Sequence, residues 1–147
     1  ERIVADFESE ARRRGLALSW SLETPGLALH ADHRALMQMT QNLISNALKF
    51  TDVGTVRLAG RRDGDGVHIA VTDTGIGISA DDLERIQSPF EQVGTALARS
   101  RKGVGLGLAI VKRLLEPHDG TLAIDSAVGA GTTVRLTFPP AAARIVD

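Results

Sequence analysis

Residues 32–50 read D-H-R-A-L-M-Q-M-T-Q-N-L-I-S-N-A-L-K-F, and two stripes run along them. Leu36, Met39, Leu43, Ala47 and Phe50 form one continuous apolar face of a helix that Asp32 is placed to cap. Asn42, Asn46 and Lys49, spaced by four and three, share a second, polar face. Asparagine is a poor helix former, so two on adjacent turns cost helix stability unless something uses them. A solvated surface helix also carries such a stripe. The chemical alternative is two amide oxygens and an ammonium meeting a phosphate chain and its metal. Magnesium takes oxygen ligands and keeps waters while phosphates supply the rest, so one protein oxygen is enough.

Outward from this helix the pattern is mixed. Toward the C-terminus, Thr55–Ala59 and Val67–Thr72 are strand-like around a turn at Arg61–Gly66, which predicts a β-hairpin. Toward the N-terminus, Ile3, Val4, Phe7 and Ala11 recur at helical spacing up to a stop at Arg14 and Gly15. Leu16, Leu18 and Trp20 then alternate as a strand, and Pro25-Gly26 turns the chain into a brief strand at Leu27–His30. Further on, a short helix is expected over Ala80–Ile86, then a long aperiodic loop over Ser88–Gly103 of the kind that carries function. Leu106–Leu115 reads as a helix stopped by Pro117, Thr121–Ile124 and Thr133–Phe138 as a closing strand pair, and the tail after Pro140 as frayed. Hairpins interrupted by helices predict an α+β fold: a two-layer sandwich, its mixed, mostly antiparallel sheet of about five strands covered on one face by about three helices.

Composition removes several function classes. The chain has 147 residues, enough for one domain with its own core. Its 17 basic and 18 acidic residues leave a net charge of −1, without the basic excess of a nucleic-acid binder. It has no cysteine, hence no disulfide, thiolate metal site or cysteine nucleophile. No apolar stretch approaches the ~18 residues of a membrane span. The histidines at 30, 33, 68 and 118 lack ligand spacing, and the serines at 88, 100 and 126 show no nucleophile elbow. The start at Glu1, without an initiator methionine and straight into a helical pattern, is expected of a piece of a longer protein.

The 15 glycines cluster. Asp73, Gly75 and Gly77 form D-x-G-x-G at a strand end. Either the turn merely needs a positive φ, or a carboxylate there accepts a hydrogen bond from an exocyclic amine such as that of adenine while glycine lets the base approach the backbone. Gly103, Gly105 and Gly107 form G-V-G-L-G-L before a helix. This serves loop flexibility, or it brings a phosphate to the N–H groups of the helix start. The segment lacks the G-K-[ST] ending of a P-loop and is not set in a dinucleotide-binding βαβ unit. G-A-G-T-T at 129–133 leads into the last strand.

In this order the segments resemble the catalytic and ATP-binding domain of sensor histidine kinases, within the GHKL (Bergerat) group of ATP-binding folds. Asp32–Thr51 is similar to the N box, D-T-G-I-G-I at 73–78 to the G1 box, and S-P-F-E-Q at 88–92 to the F box. K-G-V-G-L-G-L at 102–108 is similar to the G2 box, and G-A-G-T-T to the last glycine motif. The resemblance implies that Asn46 supplies an oxygen to Mg2+, that Asn42 and Lys49 face the phosphates of ATP, and that Asp73 reads the adenine amine. It places Gly75, Ile76, Gly77, Gly103, Val104, Gly105, Leu106, Gly107 and Leu108 around the nucleotide, with Thr132 or Thr133 supporting the base through water or hydroxyl. Residues 88–103 become the ATP lid, with Phe90 as its aromatic anchor and Arg99, Arg101 and Lys102 reaching the γ-phosphate. Three departures stand out: Gln87 in place of a phenylalanine, Val104 in place of a threonine or serine, and Glu116–Gly120 in place of a glycine pair.

The implied activity is histidine autokinase chemistry in two-component signal transduction: Mg·ATP donates its γ-phosphoryl to a histidine on a separate dimerisation helix domain. The chain is expected to be one domain, residues 1–147, lacking that phosphoacceptor domain. A response-regulator receiver domain is the expected downstream partner. Nucleic acid and direct membrane contact are not expected; the parent is expected to be a homodimer, with this part cytoplasmic and the parent possible as an inner-membrane sensor. One alternative is a non-enzymatic nucleotide-binding or interaction module. Another is a GHKL ATPase or anti-sigma-type serine kinase, which would need a glutamate base where Asn42 stands.

Overall fold

The structure is a computed structural model, and it describes residues 2–23, 27–29, 32–51, 53–64, 66–78, 104–140 and 143–145. Helix α1 spans Arg2–Arg13, followed by strands β1 at Leu16–Leu22 and β2 at Leu27–Leu29. Helix α2 (His33–Phe50) starts where the Asp32 carboxylate accepts from the Arg34 N–H at 2.9 Å, which satisfies one of the orphan donors of the first turn. Strands β3 (Gly54–Asp63) and β4 (Gly66–Asp73) form the expected hairpin. Helix α3 (Val104–Leu115) leads through a 3-10 turn at Glu116–His118 into β5 (Thr121–Ala127), β6 (Gly131–Phe138) and β7 (Ala143–Ile145).

Five strands form one sheet in the order β1-β3-β4-β6-β5, with β1 parallel to β3 and every other pair antiparallel. Alternation sends Val67, Val71 and Asp73 of β4 and Thr132, Leu136 and Phe138 of β6 to one face. There they meet the apolar stripe of α2, in which Met39, Leu43, Ala47 and Phe50 are buried, and Val111 and Leu115 of α3. Each fully covered side chain of this size contributes roughly 1.5–3 kcal/mol. Helix α1 packs on β1 through Ala11 and Leu16. The expected two-layer α+β sandwich is thus the observed fold.

Four boundaries differ. The hairpin strands run on until Asp63 pairs with Gly66, so the turn is shorter than Arg61–Gly66. Helix α3 begins at Val104, and the closing strands extend to Ala127 and from Gly131. The tail is not frayed throughout: Leu27, Ala28 and Leu29 pair antiparallel with Ile145, Arg144 and Ala143. A three-residue strand is too short to show a period, and only its partner stabilises it. The expected helix at 80–86 and the loop at 88–103 lie outside the described residues.

At the far end of the helix pair, His118 Nδ1–H donates to Leu114 O at 2.8 Å and Nε2 accepts from the Asp32 N–H at 3.1 Å. The neutral imidazole therefore ties the end of α3 to the start of α2. Its ring stands edge-on to Phe138, with centroids 6.3 Å apart. No helix of the described residues is long and apolar enough to cross a membrane.

Candidate functional site

Because α2 carries its polar stripe next to its apolar one, the edge of the core is also the edge of a recess. The recess is lined by Leu43, Asn46, Ala47 and Phe50 of α2, Val71 and Asp73 of β4, Ile78, Leu108 of α3, Ile124 of β5, and Thr132 and Val134 of β6. Among the described residues its lining is apolar except for Asn46, Asp73 and Thr132, the composition of a site for a flat apolar group with a few polar edges.

Asp73 ends β4 directly opposite Thr132 of β6 and is only 6% exposed. Its Oδ1 accepts from the Gly75 N–H at 2.9 Å. Burial pushes its carboxyl above the ordinary aspartate value, and the backbone N–H groups of Gly75 and Thr132 pull it partly back. Thr132 and Thr133, left as alternatives by the sequence, part company through strand alternation. Thr132 is buried in the recess wall, whereas Thr133 lies on the opposite face of the sheet, its hydroxyl 3.1 Å from that of Thr72.

Asn42 and Asn46 are half-buried, and the Nδ2 of each is buried without a hydrogen-bond partner among the described residues. A solvated face would not leave such atoms. Buried amide nitrogens without partners cost the desolvation of a polar group and call for something to engage them. Lys49 is half-buried one turn on. Val104, Gly105, Leu106 and Gly107 make up the first turn of α3, where backbone N–H groups have no partner within the helix. Leu108 puts its buried side chain into the recess. Phe90, Arg99, Arg101, Lys102 and Gly103 lie outside the described residues.

Residues 74–78 are held on two sides, by Ile76 N–H to Phe50 O at 3.1 Å and by Gly129 N–H to Ile76 O at 2.8 Å. A Cβ on Gly75 would run into the Phe50 carbonyl, and one on Gly77, where φ is +75°, into the Ala127 carbonyl. The glycines of D-x-G-x-G are therefore needed by the close approach of this chain to itself and, at Gly77, by a positive φ, the turn requirement that the sequence left as one of its two readings. Sequence reasoning also missed Ser126, whose Oγ accepts from the Ile78 N–H at 2.8 Å. The available signal was a polar residue on the strand face that carries Leu122 and Ile124. Among the described residues no group of three or more His, Asp or Glu is gathered to hold a metal.

The family model for histidine kinase-, DNA gyrase B-, and HSP90-like ATPase matches residues 31–142. The chain belongs to this family. Within this ATPase family its similarity is to histidine kinases. It is 46% identical over 145 residues to the Non-motile and phage-resistance protein of Caulobacter vibrioides, a match covering 95% of this chain and 17% of that protein. Sensor histidine kinase RcsC of Escherichia coli K12 is 45% identical over 138 residues, 93% of this chain and 14% of that kinase. The chain thus spans less than a fifth of either curated relative. The crystal structure of full-length ShkA in complex with AMPPNP superposes with a TM-score of 0.84 at 30% identity, covering 99% of this chain and 30% of that one. The ATPase-domain fold of histidine kinases implied by the motif order is therefore the fold observed here.

Proposed function

We propose that this chain is a single catalytic domain, residues 1–147, that binds Mg·ATP in the recess and donates the γ-phosphoryl group to a histidine on a separate dimerisation helix domain. The observation that carries the reading is the pair of amides on α2, each with a buried nitrogen lacking a partner among the described residues, one of them in the wall of a recess that also holds a buried carboxylate. The AMPPNP complex of the similar ShkA supports the same ligand class.

Asp73 accepts from the exocyclic amine of the base, and Thr132 supports the same edge. The apolar walls of Phe50, Ile78 and Ile124 exclude water from the ring faces. Asn42 and Lys49 face the phosphates, as do the backbone N–H groups at the start of α3. Two amide nitrogens without partners among the described residues fit donation to a phosphate chain, and Asn46 is the residue whose oxygen would hold Mg2+. When bound, Mg2+ neutralises charge on the phosphates. Residues 88–103 form the lid, with Phe90 its anchor and Arg99, Arg101 and Lys102 meeting the γ-phosphate. The P–O bond to ADP breaks as a P–N bond to the acceptor imidazole forms, a transfer that needs mainly positioning and charge stabilisation. The acceptor helix, a downstream receiver domain, a homodimeric parent and a cytoplasmic setting complete the proposal.

Calorimetry with ADP and Mg2+ tests the first step. The chain is expected to bind ADP, with Asn46→Ala lowering the gain in affinity that Mg2+ confers more than it lowers metal-free binding. Equal Mg2+ dependence in the two proteins contradicts the role given to Asn46. Transfer of label from ATP to an added phosphoacceptor domain tests the second step.

A further inference from the structure

The Oγ of Ser126 has three neighbours at hydrogen-bond distance: Ile78 N at 2.8 Å, Gly131 O at 3.0 Å and Thr132 Oγ1 at 2.7 Å. A serine hydroxyl has one proton and two lone pairs. A backbone N–H only donates and a carbonyl only accepts, so Ile78 occupies one lone pair and Gly131 O takes the proton. The second lone pair is left for Thr132, whose hydroxyl must then be the donor. Only this placement of protons satisfies all three contacts.

Thr132 therefore gives its one proton away from the recess and turns only lone pairs toward it. Asp73, its register partner, is in its ionised form also an acceptor without a donor. The sheet side of the recess thus offers acceptors alone. We infer that Ser126 is a specificity-determining positioning residue: by holding the Thr132 proton it makes this wall receptive to an aminopurine and hostile to a 6-oxopurine. The inference rests on the nucleotide reading above. An amino group brings N–H donors to that wall. A 6-oxo group brings a carbonyl oxygen that finds only lone pairs and a carboxylate, and a buried acceptor without a donor is strongly disfavoured. Without Ser126 the Thr132 hydroxyl is released and can turn its proton into the recess, where it would donate to that carbonyl.

The test is calorimetry with ADP and inosine diphosphate (IDP) in magnesium-free buffer, read as the ratio of the two affinities, because general damage to the site lowers both. Wild type is expected to favour ADP strongly. Ser126→Ala is expected to lower the ratio by about tenfold, and Ser126→Thr, which keeps a hydroxyl, to restore it. In a Thr132→Val background, adding Ser126→Ala should leave the ratio where Thr132→Val put it. An unchanged ratio in folded Ser126→Ala, or a further change in the double variant, overturns the inference. Failure of wild type to bind ADP overturns the nucleotide reading instead. A second measurement does not depend on any variant folding: the Thr132 hydroxyl proton of the ligand-free wild type should exchange slowly and show a nuclear Overhauser effect to Ser126 in NMR spectra. Exchange as fast as that of the exposed Thr55 hydroxyl overturns the proton arrangement.

Discussion

The fold holds Asp73 at a cost, since its charged form is buried and its carboxyl is raised above the ordinary value of 3.8. A folded-state value above the unfolded one contributes stability that is fully present below the unfolded pKa and is lost as pH rises through the folded value. The ionised side chain is thus a drain on the ligand-free domain. Asp73→Asn removes the charge while its side-chain oxygen can still accept from the Gly75 N–H. Its melting temperature relative to wild type is expected to rise as the pH is raised from 3.8 toward neutrality, while its affinity for ADP falls about ten- to hundredfold with the loss of a charged acceptor. Thermal melts across that range check the first part, and a pH-independent difference contradicts the burial argument. Calorimetry checks the second. Whether Thr132 or Thr133 faces the site was not legible in G-A-G-T-T, because two adjacent strand residues differ only in the phase of alternation and the phase is set by pairing with β4. Ser126 was illegible for a related reason: its role consists of three bonds to residues on other segments, which no local pattern contains.

The end of α3 shows what a non-glycine residue in the left-handed region does to an element. Asp119 adopts φ +54°, the one non-glycine residue among those described with a positive φ, and its N–H bonds Glu116 O at 3.1 Å. A left-handed residue with a Cβ is disfavoured by roughly 1–2 kcal/mol, less for aspartate than for most. Asp119→Gly is expected to stabilise the domain by up to about 1 kcal/mol, net of the extra freedom glycine gains in the unfolded chain, as denaturant midpoints would show; destabilisation would mean that the carboxylate has a role of its own. The neighbouring His118 stays as the tie between α3 and Asp32, so the substitution tests the turn without the clasp. Elements such as α2 and the β3–β4 hairpin were legible because their signals are local: an apolar stripe with a cap, and alternation around glycine turns. The parallel pairing of β1 with β3 and the strand β7 were not, since both depend on partners far away in the chain.

For the whole molecule, the proposed function separates holding ATP from consuming it. Among the described residues lining the recess Asp73 is the only carboxylate, and position 42, where a water-activating base would stand, is an amide. Steady hydrolysis of ATP by the chain alone is expected to stay on the order of 10⁻⁴ s⁻¹, the range of an unassisted nucleotide triphosphatase, and Asn42→Glu is expected to raise it. Phosphate-release assays measure both, and rapid wild-type turnover would favour the ATPase alternative. The sheet order has a further consequence, for handling the protein in concentrated solution. Strand β1, L-A-L-S-W-S-L, lies at the edge of the sheet with no charged residue and no proline, and among the described residues no strand pairs with its far side. An uncharged edge with free backbone N–H and C=O groups is a template for a second copy of the same strand. The other edge, β5, carries Asp125 in its middle and is guarded against such pairing. Self-association of the isolated domain would therefore begin at β1, and a lysine at the exposed Ser19 is the smallest change that would deny it a foothold.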